Sequence, residues 1–190
     1  MTMQLNWGQR WIDKVGFQSS ITESERERLT KLADNQHVLE IGSAYGYTTC
    51  FMAQVAQTVD AVDPHQGYGS MPSSYPVMCS NIKLLGLNNI NMLVNTSQMI
   101  LPQLIAEGKR YSLVFVDGDH RYPGAQFDLR HGWQLLAPGG TMAAHDYGEV
   151  TCPEVVPAVD DWVNTIDDFY MSQAEPIEVV DTLWTILRRQ

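Results

Sequence analysis

Val38-Leu39-Glu40-Ile41-Gly42-Ser43-Ala44-Tyr45-Gly46-Tyr47-Thr48-Thr49 is the stretch whose reading decides the fold. A short apolar run carries an acidic residue near its end, and two glycines then bracket a tight turn before a helix. In a parallel sheet that arrangement delivers a ligand to a helix N-terminus. Glycine at 42 lets the backbone take φ > 0 or approach a ligand closely. The spacing is E-x-G-x-x-x-G, not the G-x-G-x-x-G that cradles a pyrophosphate. Glu40 would repel phosphates and suits a cationic, hydroxyl-rich ligand.

On both sides of this stretch, strand-length apolar runs alternate with longer amphipathic ones, as in β-α-β units. Thr22-x-x-Glu25 is a capping box that opens a helix through Leu32. The first strand is His37 to Ile41, followed by a helix from Gly46 to Gln57. Val59 to Val62 is a strand ending at Asp63-Pro64, and a Gly-, Ser- and Pro-rich loop from His65 to Ser74 leads into a helix over Tyr75 to Leu85. Ile90 to Val94 and Ser112 to Val116 are strands separated by a helix over Ser97 to Glu107. A helix over Pro123 to Leu136 reaches the turn Pro138-Gly139-Gly140, then the strand Thr141 to Ala144. Glu154 to Thr165 is helical, and Ile177 to Val180 and Leu183 to Leu187 close the sheet. The expected fold is α/β, a doubly wound and mostly parallel sheet of seven strands within a single domain spanning 1–190.

Composition excludes several classes. With 12 Lys and Arg against 22 Asp and Glu, the net charge of −10 disfavours nucleic acid as a partner. No apolar run is long enough to cross a bilayer, and residues 1–20 lack the apolar core of a signal peptide, so the expectation is a cytoplasmic protein without membrane contact. Cys50, Cys79 and Cys152 are odd in number and widely spaced, which implies neither a disulfide framework nor a zinc cluster. Trp7, Trp11 and Tyr68 lie outside the expected core, in segments able to fold over a site as a lid. Residues 1–20 are equally available for oligomer contact, and the apolar C-terminal strands for pairing across a homodimer.

Polar residues fall at or just past successive strand ends: Glu40, Asp63, Asn95 to Gln98, Asp117 to His120, and His145-Asp146. Each alone could cap a helix; together they mark one rim, where open parallel sheets bind ligands. Asp63 ends its strand about twenty residues after the glycine turn, a spacing that lets a carboxylate accept ribose hydroxyls. Asp60 is a weaker rival inside the strand. Asp117 and Asp146 end adjacent strands, and two half-buried like charges repel unless a cation or a proton intervenes. A hard divalent ion such as Mg²⁺ on Asp117 and Asp146, with His145 as a third ligand, is one answer; protonation or helix capping is the other. His120 reaches over the same rim with an ordinary pKa suited to taking a proton, or else is a solvated loop residue.

These residues resemble those of class I S-adenosylmethionine-dependent methyltransferases, from Val38 to Leu187. Glu40-x-Gly42-x-x-x-Gly46 is similar to the family's first motif, which implies that Glu40, Gly42, Ser43, Tyr45 and Gly46 surround the methionine end of the cofactor. Asp63 matches the ribose-binding acid. Ser97-Gln98-Met99-Ile100-Leu101-Pro102-Gln103-Leu104 is similar to a segment of the catechol O-methyltransferase group, which implies Ser97 and Gln98 beside the adenine. Leu113 to His120, Leu136 to Gly140 and His145-Asp146-Tyr147 look most like small bacterial macrolide and sugar O-methyltransferases. That relationship puts Asp117 and Asp146 on metal-ligand positions, Asp117 also beside the cofactor, and His120 on the general base. The metal-dependent members carry a further acid or asparagine beside the last aspartate, where this chain has His145 and Tyr147.

The resemblance implies a Rossmann-like methyltransferase fold with an antiparallel C-terminal strand, and methyl transfer from S-adenosylmethionine to a hydroxyl of a small molecule. A nicotinamide- or nucleotide-sugar-dependent oxidoreductase is the rival enzyme, and it needs a phosphate-cradling glycine pattern. A non-catalytic S-adenosylmethionine-binding module is the rival outside catalysis.

Overall fold

A computed structural model describes residues 21–67, 72–165 and 178–188. The expected lid or oligomer-contact roles of 1–20 and of Tyr68 fall outside them. In chain order the elements are α1 (Glu23–Ala33), β1 (His37–Ile41), α2 (Tyr47–Ala53), β2 (Thr58–Asp63), α3 (Tyr75–Leu85), β3 (Ile90–Val94), α4 (Ser97–Ala106), β4 (Tyr111–Val116), α5 (Tyr122–Leu135), β5 (Leu136–Ala144), α6 (Val155–Thr165), β6 (Glu178–Val180) and β7 (Leu183–Leu187).

The sheet has seven strands in the order β3-β2-β1-β4-β5-β7-β6. β1 to β5 are parallel, whereas β7 runs antiparallel to β5 and β6 antiparallel to β7. The C-terminal strands thus complete their own sheet. The chain winds outward from β1 through β2 to β3, then returns to the other side of β1 as β4. A crevice therefore opens beyond the carboxyl ends of β1 and β4, where winding reverses.

Period-two alternation sends neighbouring residues to opposite faces. Leu39, Ile41, Val114 and Val116 join one core with Leu129, Trp133, Trp162 and Trp184. Val38, Leu113 and Phe115 join the other with Leu29, Phe51 and Met52. Trp133 and Trp162 are packing residues, meeting edge to face at 5.6 Å between ring centroids.

The capping box forms at α1: Thr22 Oγ1 accepts from the Glu25 amide, and the Glu25 carboxylate accepts from the Thr22 amide at 2.8 Å. Most boundaries fall within a residue of expectation, and two differ by several. α2 stops at Ala53, because the Asn35 amide donates to Val55 O and the Gln57 amide to Gln36 O, which pulls the chain into β2. β5 begins at Leu136, ahead of Thr141, since Gly139 and Gly140 pair with the Arg188 backbone and carry the ladder through the turn. Among the described residues no helix is long and apolar enough to cross a membrane.

Candidate active site

The turn after β1 is built on close backbone approach. Gly42 has φ 94°, and a Cβ there would lie 2.0 Å from the Asp117 carbonyl oxygen. Gly46, with φ 78°, caps α2, and a Cβ on it would meet the Met78 side chain at 2.7 Å. Only glycine fits either position. Asp63, at the end of β2, clamps this turn: Oδ2 accepts from the Ala44 amide at 2.8 Å and Oδ1 from the His65 amide at 2.6 Å. Ser43 is buried with its hydroxyl toward Met78 Sδ, and the Tyr45 carbonyl accepts from Asn81. Asp60 is occupied elsewhere, taking the Tyr111 hydroxyl at 2.6 Å.

Glu40 departs from expectation. It is fully buried, one carboxylate oxygen takes the Thr49 hydroxyl, and the other has no partner. Burial, aided by the Asp117 and Asp63 charges, pushes its pKa up to about 8. Near neutrality it supports the turn from behind as an uncharged acid, so the repulsion of phosphates inferred for it does not apply to this state.

At the ends of β4 and β5 the structure gathers Asp117, His120, His145 and Asp146. His120 Nε2 lies 2.9 Å from Asp146 Oδ2 and 3.4 Å from Asp117 Oδ1. His145 Nδ1 stands 3.4 Å from Asp117 Oδ1 and 3.3 Å from Asp146 Oδ1; these are ionic contacts, not aligned hydrogen bonds, so Nδ1 has no hydrogen-bond partner. Asp146 holds φ 60°, unusual outside glycine.

A methyltransferase-domain family model matches residues 39–147. The chain belongs to this family. It is a class I S-adenosylmethionine-dependent methyltransferase. No curated protein matches it. Among solved structures it is similar to a Klebsiella pneumoniae protein described as an O-methyltransferase (18% identity, TM-score 0.72, covering 98% of this chain and 90% of that one). It is also similar to a Bacillus cereus O-methyltransferase in complex with S-adenosylhomocysteine (13%, 0.66, 96% and 96%) and to an rRNA methylase from Streptococcus thermophilus (15%, 0.65, 90% and 100%). At such identities these likenesses show the fold.

The charge state of the rim follows from its pairs. Contacts from Asp117 and then Asp146 raise His120 to about 10 despite burial. Burial works against a charged His145, but the same two acids outweigh it and lift the ring to about 11. Burial likewise opposes ionisation of Asp146, and the two histidines together hold it below the ordinary carboxylate range. The neutral histidine expected at 120 is thus an imidazolium in the free methyltransferase.

Ligand atoms of Asp117, His145 and Asp146 do converge within 4.8 Å of one another. The set does not fit Mg²⁺, which takes near-octahedral oxygen ligands: one donor is a buried imidazole nitrogen, and both carboxylates are already compensated by imidazolium. The repulsion between Asp117 and Asp146 is relieved by protons on histidine.

Three participants escape a reading of strand ends. Glu25, from the capping box of α1, is 0% exposed. Its Oε2 also lies 3.3 Å from His145 Nε2, while Oε1 takes the Thr182 amide at 2.8 Å and hydroxyl at 2.7 Å. Asp128 is buried in α5 beside Gly118 and accepts from the Ser97 side chain and the Asp119 backbone; burial pushes it up to about 6. Its signal was a charged residue on the apolar stripe Ala125, Leu129, Trp133. Cys152, half-buried in the turn after β5, comes close to His120 and Asp146. Of the adenine candidates, Ser97 is therefore tied to the rim through Asp128, whereas Gln98 stands exposed at the start of α4.

Proposed function

We propose that the enzyme methylates a hydroxyl group of a small molecule, with His120 as the general base. The observation that carries this reading is the placement of His120: its side chain is 42% exposed, it is bound through Nε2 to Asp146, and it stands at the rim of the switch-point crevice. That hydrogen bond favours the neutral tautomer with hydrogen on Nε2 and the lone pair on Nδ1.

The Gly42–Gly46 turn, including Ser43 and Tyr45, lines the methionine end, Asp63 takes the ribose, and Ser97 and Gln98 flank the adenine; Glu40 backs the turn. The glycine cradle fits this cofactor, because any Cβ at 42 would close the crevice wall against Asp117. S-adenosylmethionine, when bound, supplies an activated methyl and a sulfonium charge that opposes protonation of His120. His120 Nδ1 accepts the hydroxyl proton of the acceptor. Asp117 and Asp146 stabilise the imidazolium that results, through the contacts that raise its pKa in the free enzyme. Alignment of the hydroxyl in the crevice supplies the rest of the acceleration.

A net charge of −10 favours a small neutral or basic acceptor over RNA. Calorimetry with S-adenosylhomocysteine tests the cofactor crevice. A radiolabelled methyl-transfer screen of polyols, phenols and sugars beside ribosomal RNA tests the acceptor. Transfer to RNA alone, or to amines alone, overturns the hydroxyl reading.

A further inference from the structure

Cys152 is a group at this rim for which methyl transfer has no use. Cys152 packs against the edge of the larger core, and the polar contact of its Sγ is a weak one, 3.9 Å from Thr151 Oγ1. One ligand atom from each of His120, Asp146 and Cys152 lies within 4.8 Å of the other two. Tetrahedral coordination with bonds of about 2.0 Å to nitrogen and oxygen and about 2.3 Å to sulfur spaces the donors roughly 3.3–3.6 Å apart. Closing the set asks for a shift of about 1.5 Å at most, and the turn carrying Cys152, which follows Gly148 at φ 92°, is the segment to supply it.

A second set of ligand atoms converges on the same aspartate from its other side. His145 Nδ1 is a buried ring nitrogen without a hydrogen-bond partner, on a side chain 1% exposed, and it faces the Asp117 and Asp146 carboxylates. Asp146 therefore belongs to two converging sets of ligand atoms, one ending in a thiol and one in an imidazole. Hard ions take neither donor readily. Thiolate, imidazole and carboxylate together suit zinc and its borderline neighbours.

We propose that His120, Asp146 and Cys152 form a binding site for a divalent cation of the zinc class, with the fourth position open to water. Binding releases the thiol proton and the imidazolium proton to solvent and leaves thiolate, neutral imidazole and carboxylate on the metal. Occupation also removes the His120 lone pair from proton transfer, so the ion inhibits turnover; this consequence rests on the role of His120 above, whereas binding does not.

The test uses chelator-treated protein without cofactor or acceptor, titrated with Co²⁺ as a spectroscopic stand-in. A near-ultraviolet thiolate-to-cobalt charge-transfer band is expected, abolished by stoichiometric Zn²⁺ and unaffected by a large excess of Mg²⁺. Cys152→Ser should remove the band and weaken Zn²⁺ binding about tenfold or more, while Cys79→Ser on α3 leaves both intact. His120→Ala, at a half-exposed position that tolerates truncation, should weaken Zn²⁺ similarly. A missing band in the parent, a band that persists in Cys152→Ser, or displacement by Mg²⁺ overturns the site. Those failures leave S-adenosylhomocysteine binding and methyl transfer untouched. A protein that binds Zn²⁺ with its thiol but transfers no methyl sinks the enzymatic reading alone.

Discussion

Glu25→Gln tests how the N-terminal helix is tied to the reaction rim. The carboxylate is sealed from solvent and accepts from four donors: the Thr22 amide and His145 Nε2 on one oxygen, and the Thr182 amide and hydroxyl on the other. A glutamine has one acceptor oxygen. Whichever way its amide flips, the NH₂ group faces two donors, and His145 loses its charged partner. Each orphaned buried donor costs about 1–3 kcal/mol, and breaking one half of a buried ion pair costs about 3–5 kcal/mol. The two routes agree on a loss of about 3–5 kcal/mol, which for a chain of this length lowers the melting temperature by roughly 6–20 °C.

Circular dichroism melts at neutral pH measure the loss, with Thr22→Ala as the reference. That variant removes the N-cap acceptor, worth about 1 kcal/mol, together with an exposed hydrogen bond from the Thr22 hydroxyl to Asp181. The sign of the pH dependence follows from the state of Glu25. Burial pushes its pKa up, but hydrogen bonds from Thr182 and Thr22 and the His145 charge together hold it below the ordinary value of 4.5. Its contribution is present above that value and lost as pH falls through the depressed one, so the gap between parent and Glu25→Gln narrows in acid. If Glu25→Gln melts no lower than Thr22→Ala, the reasoning is refuted.

His120→Ala should lower kcat by about 10²–10⁴ with S-adenosylhomocysteine affinity unchanged; parental turnover would remove it as the base. In chelator-treated enzyme, kcat/KM for the cofactor should rise with pH toward about 10, because the free enzyme must lose the His120 proton that Asp117 and Asp146 hold; a profile flat from pH 7 to 10 contradicts this. Asp63→Asn should weaken S-adenosylhomocysteine binding about tenfold or more through loss of a charged acceptor, and an unchanged calorimetric affinity excludes it. Glu40→Gln, replacing an acid already uncharged near neutrality, should cost less than about 1 kcal/mol and leave cofactor affinity within about threefold; a larger loss of binding would place that carboxylate in the crevice. Chelation should leave methyl transfer intact, and activity restored specifically by Mg²⁺ would reverse the conclusion drawn from the donor set.

Most of the frame was legible because local signals agreed with the global fold. β1, β3 and β7 occupy the predicted ranges, as does α3, which ends at Gly86 in the left-handed conformation. The rim was legible for the same reason: parallel strands end on one side, so strand-end acids must meet. What escaped was the state of those acids. Asp117 and His120 are neighbours in sequence, but the pKa of His120 depends also on Asp146, which arrives on another strand. Glu25 reads as half of a capping box, and nothing local announces a partner 120 positions away. The depth of Glu40 is likewise hidden, since a polar residue within an apolar run looks the same whether it faces a crevice or the Thr49 hydroxyl.

The charges at this rim form an alternating series from core to solvent: Glu25, then His145, then the Asp117 and Asp146 pair, then His120. Each acid lies against a base, and three carboxylates against two imidazolium rings leave the series with one net negative charge. That surplus suits a cationic cofactor, which brings the total to neutrality without loss of a proton. The proposed role of His120 as base needs its proton to pass to solvent before turnover, and its ring is the half-exposed member of the series. On the proposed role of His120, methyl transfer takes the charge from sulfur and the acceptor's proton returns it to His120, so Asp117 and Asp146 face the same total charge before and after. His145 takes no part in this exchange, because Glu25 and burial fix it in place; its task is to keep both acids close enough to serve His120. With His120 as the proposed base, a metal on His120, Asp146 and Cys152 would occupy the position through which that charge returns, and the proposal then makes cation binding and turnover mutually exclusive.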